Sequence, residues 1–254
     1  MKNFIFTLFI ILSLYFTQNI CASVIVLYDG SLNGGNQTPE EQGWLSLSGN
    51  PAYASASGGM TNYNTLHDNA IQLRYHIELD NPLDRDIGYS LRFTARVNQE
   101  NHGTITVRAG FFVVLKSSDE YGIMICFWEN EIFAVRNNLH QESFSYNTQD
   151  FVNYEVIISS DSYVLKANNN PILSGALSDY EGTNWYGHDY PNYFSIGDST
   201  GVAGASVDLT YIEIESPTFP EYIENPVPEP ATVFILGTGL ICGIKRFKFF
   251  RKNR

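Results

Sequence analysis

The fold is decided by two alternating stretches, IQLRYHIEL at residues 71–79 and YSLRFTARV at residues 89–97. In both stretches, apolar side chains occupy every second position and most of the positions between them are polar. Successive side chains of a β-strand point to opposite faces, so each stretch is predicted to bury one face and to expose the other. We therefore expect the polar face of the first stretch, which carries Arg74 and His76, to be solvated.

Two further stretches, residues 104–115 and 121–128, are almost continuously apolar. Such runs are typical of strands that are covered on both faces, and we place them in the middle of a sheet. Shorter apolar runs separated by turn residues continue from Val24 to Glu215, and none has a helical period. About a dozen short strands without helices predict an all-β, antiparallel two-sheet β-sandwich.

The strand order from Gly88 to Glu215 resembles the concanavalin A-like jelly roll of lectins, laminin G-like modules and glucanases. The resemblance rests on the long central strands and on the predicted hairpin at residues 154–177, whose turn is rich in asparagine. It implies a domain that binds glycans or cleaves them. An immunoglobulin-like sandwich is the alternative, but it has about 100 residues, roughly half the length needed here.

The amino-terminal end reads as a secretory signal peptide over residues 1–23. Lys2 precedes an apolar segment at residues 4–16, which is predicted to be helical, and small residues follow at Ala22 and Ser23. This order predicts export. The β-sandwich domain is then expected at residues 24–215, followed by a proline-rich stalk at residues 216–226.

The carboxyl-terminal end begins with VPEP at residues 227–230, continues with an uncharged apolar run at residues 231–244, and ends in a basic segment. A helix over the apolar run would be roughly 21 Å long, which is short for a bilayer that needs about 20 apolar residues. The phenylalanines and lysines that follow extend it to a predicted transmembrane helix. Because six of the last ten residues are Lys or Arg, the positive-inside rule places this end in the cytoplasm.

This order resembles the PEP-CTERM sorting signal of Gram-negative bacteria, over residues 227–254 only. The resemblance implies recognition by an exosortase, with Pro228, Glu229 and Pro230 as the recognised residues. It also implies removal of the membrane-tethering helix and transfer to the cell surface or to the exopolysaccharide matrix. An ordinary membrane anchor behind a proline-rich stalk is the alternative.

Charge and cysteine content restrict the partners of the domain. The chain has a net charge of −12, and without Lys2, the six basic tail residues and Glu229 the remaining charge is −18. Such a surface repels nucleic acid and anionic lipid, so neither is predicted as a partner of the domain. Cys126 is the one cysteine between the two ends, and its apolar surroundings predict a buried, unreactive thiol.

Glu129 and Glu131 are the candidate catalytic residues. If both lie on one strand, they point to the same face, as the carboxylates of a retaining glycosidase do at a separation of about 5 Å. The acidic strand pattern of concanavalin A-like glucanases is incomplete, because Asn130 and Ile132 interrupt it. The sequence therefore favours an exported, non-catalytic protein, with a glycoside hydrolase or lyase and a purely structural matrix or adhesion protein as alternatives.

Aromatic residues are the candidate glycan contacts. Trp185, Tyr186 and Tyr190 fall in a predicted loop, and Trp128 ends a predicted central strand. Their flat apolar rings with a polar edge suit contact with a sugar ring, although the same side chains also anchor loops to a core.

No cofactor is required by these patterns, and a structural calcium ion is an open alternative. Asp29 follows the first predicted strand and Asp208 lies in the last one. First and last strands are often neighbours in jelly rolls, so the two carboxylates are candidate ligands of a hard cation.

Overall fold

The computed structural model describes residues 22–48, 53–66, 73–104, 106–181, 190–198 and 200–219. All of them belong to the first of two units of the chain, Met1–Pro220. Residues 1–21 of the predicted signal peptide 1–23 lie outside the described residues, as does the predicted carboxyl-terminal helix within the second unit Glu221–Arg254. Of the helices in the described ranges, none has the length and apolarity to cross a membrane.

The described residues form sixteen strands in two antiparallel sheets, which confirms the predicted all-β sandwich. The strands are β1 (Ser23–Asp29), β2 (Leu45–Ser48), β3 (Ala54–Ser57), β4 (Met60–Asn64), β5 (Leu73–Glu78), β6 (Tyr89–Asn101), β7 (Phe112–Lys116), β8 (Tyr121–Phe127), β9 (Glu131–Arg136), β10 (Leu139–Ser145), β11 (Val152–Ser159), β12 (Ser162–Ala167), β13 (Asn170–Ala176), β14 (Ser178–Asp179), β15 (Tyr193–Asp198) and β16 (Gly204–Ser216). Within the ranges that the structure describes, helical structure is limited to two short turns, Leu32–Gly35 and Glu40–Gln42.

Sheet A has the order β13-β12-β11-β6-β16-β4-β3, and β1 pairs with the part of β16 that β4 leaves free. Sheet B has the order β10-β9-β8-β7-β15-β5-β2, and β14 pairs with the start of β8. The apolar strands β7 and β8 lie side by side in the middle of sheet B, as predicted from their continuous apolar sequence.

The core lies between the two sheets and is rich in aromatic rings. Phe93 of β6 stacks on Tyr154 of β11 with ring centroids 5.1 Å apart. It also meets Phe127 of β8 edge-on at 5.9 Å, so one ring joins the two sheets. Each such pair contributes about 0.5–1.5 kcal/mol beyond the burial of its area.

A second apolar cluster covers the face of sheet B that points away from this core. We call this face the outer face of sheet B. Arg74 and His76, predicted to be solvated, are only 5% and 2% exposed, so that prediction is wrong. Burial, together with the neighbouring Arg74 guanidinium, lowers the pKa of His76. The cluster contains Ala109, Phe112, Val114, Met124, Cys126, Phe133, Val135 and Tyr193. Cys126 is buried there as predicted, and desolvation raises the pKa of its thiol to about 12.

The outer face of sheet A is instead charged. The Arg92 guanidinium contacts the carboxylates of Glu155 at 2.8 Å, Glu213 at 3.0 Å and Glu215 at 2.6 Å. Lys166 adds a second cation to Glu155 at 2.9 Å. Burial alone would raise the pKa of Glu155, but the hydrogen bonds from Lys166 and Arg92 outweigh it and lower that pKa.

One predicted strand is shorter than expected, and three strands, β4, β10 and β14, were not predicted. The apolar stretch 104–115 becomes a strand only at Phe112, and the described residues before it, 104 and 106–111, belong to no strand. At Gly110 the chain passes so close to β16 that an added Cβ would lie 2.2 Å from the Gly204 carbonyl carbon. Strand β10 went unpredicted because it is a polar edge strand without strict alternation.

The first and last strands of the described domain pair with each other, so its two ends lie close together. Ser23 at the start of β1 pairs with Ser216 at the end of β16. Beyond the last strand, Phe219 is 3% exposed and belongs to the core, and the Thr218 hydroxyl donates to the Pro82 carbonyl oxygen at 2.6 Å. The sandwich therefore continues to Phe219, past the Glu215 boundary predicted from the sequence, because this apolar ring has a place in the core.

Candidate functional site

A cavity of about 290 Å³ opens on the outer face of sheet B. Its floor is apolar and is formed by Met124 of β8 and Val135 of β9. Its rim is polar and consists of Asn137, Asn138, Ser178, Asp179 and Tyr180. An apolar floor with a few polar groups around it is the usual composition of a small-molecule site.

One wall of the cavity is the tight turn between β9 and β10. Arg136 pairs with Leu139, so the turn contains two residues, Asn137 and Asn138. Their φ angles are 52° and 61°, which is the type I′ conformation that joins antiparallel strands best. Asparagine tolerates this left-handed backbone, and the turn holds both amide side chains at the rim.

The opposite wall is the short strand β14, which pairs with the first residues of β8. Asp179 is exposed, and its Oδ1 accepts a hydrogen bond from the backbone N–H of Glu181 at 2.9 Å. Ser178 is buried beside it. Residues that are about 40 positions apart in the sequence therefore form the two walls of one cavity.

Tyr180 completes the rim beside the buried side chain of Lys116. Lys116 Nζ lies 5.8 Å from the centre of the Tyr180 ring and 3.8 Å from the Glu120 carboxylate. Burial raises the pKa of the Tyr180 phenol, against a hydrogen bond with Ser178 that lowers it. The phenol is therefore protonated at neutral pH.

Trp128, a predicted sugar contact, is partly buried in a stack of rings near the other end of β8 and β9. His102 lies flat on the indole at a centroid distance of 4.0 Å, and Phe133 meets it edge-on at 4.7 Å. The indole Nε1 donates to the Arg108 carbonyl oxygen at 3.0 Å. One face of the indole is thus covered by His102, and the side chain anchors the chain segment around Arg108.

Glu129 and Glu131 do not lie on one strand. Glu129 belongs to the turn between β8 and β9, and Glu131 is the first residue of β9. The Glu129 carboxylate accepts from the backbone N–H of Glu100 in sheet A at 2.9 Å. The Glu131 carboxylate lies 3.2 Å from His140 Nε2 in sheet B. Each carboxylate is held by a different sheet, and the expectation that they share a strand face is wrong because the hairpin turns between them.

Asp29 and Asp208 are not brought together. In the strand register, Asp29 faces a position of β16 three residues beyond Asp208, about 10 Å along the strand. The Asp208 carboxylate contacts Arg96 at 2.7 Å and accepts from the Asn62 amide at 2.7 Å. The Asp29 carboxylate accepts from both N and Oγ of Ser31. Across the residues that the structure describes, no group of three or more His, Cys, Asp or Glu side chains is placed to hold a metal ion.

The predicted loop aromatics are described only in part. Trp185 and Tyr186 lie outside the described residues, and Tyr190 is 47% exposed. None of the residues that line the cavity was predicted from the sequence. Asn137-Asn138 carried a recognisable turn signal, but the sequence contains no indication that residues 178–180 lie opposite it.

Residues 226–252 match the family model described as the PEP-CTERM protein-sorting motif. The chain carries a PEP-CTERM sorting motif. The matched range contains Pro228, Glu229 and Pro230, and it confirms the resemblance found at the tail. The motif implies processing by an exosortase and export with sorting to the cell surface. No curated protein sequence matches the chain.

Solved structures resemble the sandwich of this chain at low sequence identity. A carbohydrate esterase from the Shiga toxin-encoding bacteriophage phi24B matches with a TM-score of 0.55 and 13% identity, over 76% of this chain and 99% of that chain. The laminarinase from Rhodothermus marinus matches with a TM-score of 0.48 and 10% identity, over 77% and 98% of the two chains. A Bacillus subtilis protein of unknown function with a galectin-like fold matches with a TM-score of 0.48 and 7% identity, over 77% and 98%. The likeness to the esterase shows the fold alone, and with the two-sheet topology it agrees with the predicted concanavalin A-like jelly roll.

Proposed function

We propose that this PEP-CTERM protein is an exported surface or exopolysaccharide-matrix protein that binds glycan, without cleaving it, in the cavity on the outer face of sheet B. The observation that carries the proposal is the cavity itself, with its apolar floor and its rim of two asparagines, a serine, an aspartate and a tyrosine. The sorting motif supports the location, since glycans are abundant at that surface.

The chemistry of the rim suits sugar hydroxyl groups. Each asparagine amide offers two donor hydrogens and an acceptor oxygen, the Asp179 carboxylate accepts, and the Tyr180 phenol does both. The apolar floor at Met124 and Val135 suits the C–H face of a pyranose ring. The cavity volume of about 290 Å³ is at the lower limit for ligand sites. We therefore expect it to hold one sugar unit of a longer chain.

The contacts of the acidic residues support binding in preference to hydrolysis. A retaining glycosidase needs two carboxylates that face each other across the sugar. Glu129 and Glu131 are each engaged with a different sheet, and neither lines the cavity. The fold-level analogy with a carbohydrate esterase raises the expectation of a carbohydrate ligand but does not supply an activity.

The test is a binding measurement with a matched pair of turn variants. Asn138→Gly removes one amide from the rim and keeps the turn, because glycine adopts positive φ readily. The control is Asn169→Gly in the equivalent two-residue turn between β12 and β13, where Asn169 has a φ of 67° and lies in sheet A. The full-length chain in mild detergent is tested by affinity electrophoresis against a panel of soluble polysaccharides, with an assay for released reducing ends in parallel.

We expect at least one polysaccharide to retard the wild-type protein and Asn169→Gly equally, and Asn138→Gly about tenfold less, the effect of one lost hydrogen bond of about 1.4 kcal/mol. No increase in reducing ends is expected. Retardation by none of the glycans, or equal retardation of both variants, would contradict the proposed site. Release of reducing ends that Glu131→Gln abolishes would instead support the hydrolase alternative.

A further inference from the structure

The charge of the cavity restricts the class of sugar that it can hold. Asp179 is the one charged residue among the described side chains that line it. Its carboxylate is exposed, and the hydrogen bond from the Glu181 N–H fixes its position at the rim. The mouth of the cavity therefore carries a negative charge that a ligand can reach.

The cation beside Tyr180 already has a carboxylate partner of its own. Lys116 is fully buried below Tyr180, and its ammonium lies 3.8 Å from the Glu120 carboxylate. This pair is close to neutral as a unit, and Asp179 is the charged group among the described residues that line the cavity. The acidic composition of the chain, with 27 Asp and Glu against 15 Lys and Arg of which six lie in the last ten residues, acts in the same direction.

We infer that the cavity takes an amino sugar, a sugar ring that carries a protonated amine, within a partly deacetylated polysaccharide. The inference rests on the proposed function and specifies its ligand. An ammonium group gains a charge-assisted hydrogen bond with Asp179. A uronic acid would place a second carboxylate near the first, and like charges at that distance repel.

The matched ligands are two oligosaccharides of one backbone, a glucosamine hexamer and its fully N-acetylated counterpart. The matched variants are Asp179→Asn and Glu181→Gln. Both variants remove one negative charge from neighbouring positions, but Glu181 does not line the cavity. Non-specific attraction of a cationic sugar to the acidic surface changes equally in the two variants, whereas specific contact with Asp179 changes in one.

Calorimetric titration of the full-length chain at 0.15 M salt should show the amine-bearing hexamer binding at least about tenfold more tightly than the acetylated one. Asp179→Asn should remove this difference and Glu181→Gln should leave it. Alginate, a polyuronate, should bind more weakly than either hexamer.

Equal binding of the two hexamers, equal effects of the two variants, or tighter binding of alginate would overturn the amino-sugar assignment while leaving glycan binding intact. Binding of no glycan of any class would overturn the assignment together with the proposed function. The two failures are thus distinguishable in one set of titrations.

Discussion

The outer faces of the two sheets are built in opposite ways. On sheet A the outer face is ionic, with the Arg92 guanidinium at the centre of three carboxylates and 41% of its side chain exposed. On sheet B the outer face is apolar and aromatic, and Phe133 at its centre is fully buried. The outer face of sheet A is thus exposed to solvent, whereas the outer face of sheet B forms a second apolar core.

This difference indicates which side of the sandwich is available for function. Ion pairs on an exposed face contribute little stability and hold no cavity. A second apolar layer requires further chain segments to cover it, and the candidate cavity lies where β14 and the turn between β9 and β10 meet that layer. The candidate cavity is therefore a consequence of the way in which sheet B is covered.

The outer faces should differ most in stability when one aromatic ring is removed from each. Phe133→Ala should lower the free energy of unfolding by about 3–5 kcal/mol, because it empties a buried site between Trp128 and His140. Tyr211→Ala on the outer face of sheet A should cost roughly 1 kcal/mol or less. Chemical denaturation of the two variants measures both values, and equal losses would mean that the two faces are equivalent.

A second test uses pH, because the pKa of one carboxyl group in sheet B is raised and the pKa of one in sheet A is lowered. Burial raises the pKa of Asp198 in β15 to about 6, although Thr200 and Thr65 donate hydrogen bonds to it. Asp198 binds its proton more tightly in the folded protein than in the unfolded chain. The stabilisation that results is present at low pH and is lost as pH rises through about 6.

Asp198→Asn removes that titration. Relative to wild type, the free energy of unfolding of the variant should therefore rise by up to about 3 kcal/mol between pH 4 and pH 7. Glu155→Gln on sheet A should show the reverse slope, since the lowered pKa of Glu155 makes its stabilisation disappear as pH falls. Denaturation midpoints at four pH values measure both slopes, and slopes of the same sign would contradict the assignment.

A small effect is also expected from Arg92→Met, which keeps most of the side-chain length and removes the charge. We expect a loss of about 1 kcal/mol at low salt, because Glu155, Glu213 and Glu215 then repel one another on a partly solvated face. The loss should shrink in 1 M salt, where charges are screened over about 3 Å. A salt-independent loss of several kcal/mol would show that this face is buried in the manner of sheet B.

The predictions from the sequence succeeded where local pattern determines structure. Alternation at residues 89–97 and the apolar run at residues 121–128 became β6 and β8, and the tail motif was recognised from its order alone. They failed where a distant segment decides the environment. Arg74 and His76 alternate like solvated residues, yet both are buried, and the Tyr193 ring of the neighbouring strand packs against His76 at a centroid distance of 5.6 Å.

The class of fold and the sorting motif follow from the sequence, because side-chain periodicity and a short linear signal are properties of consecutive residues. Three features follow only from the folded chain: which sheet face receives a second apolar layer, that Glu129 and Glu131 are held by different sheets, and that Asn137 and Asn138 lie across a cavity from Ser178 and Asp179. Such features depend on strand order and on the packing of segments far apart in the chain. No local pattern encodes that arrangement, so the candidate site became visible only after the strands were paired.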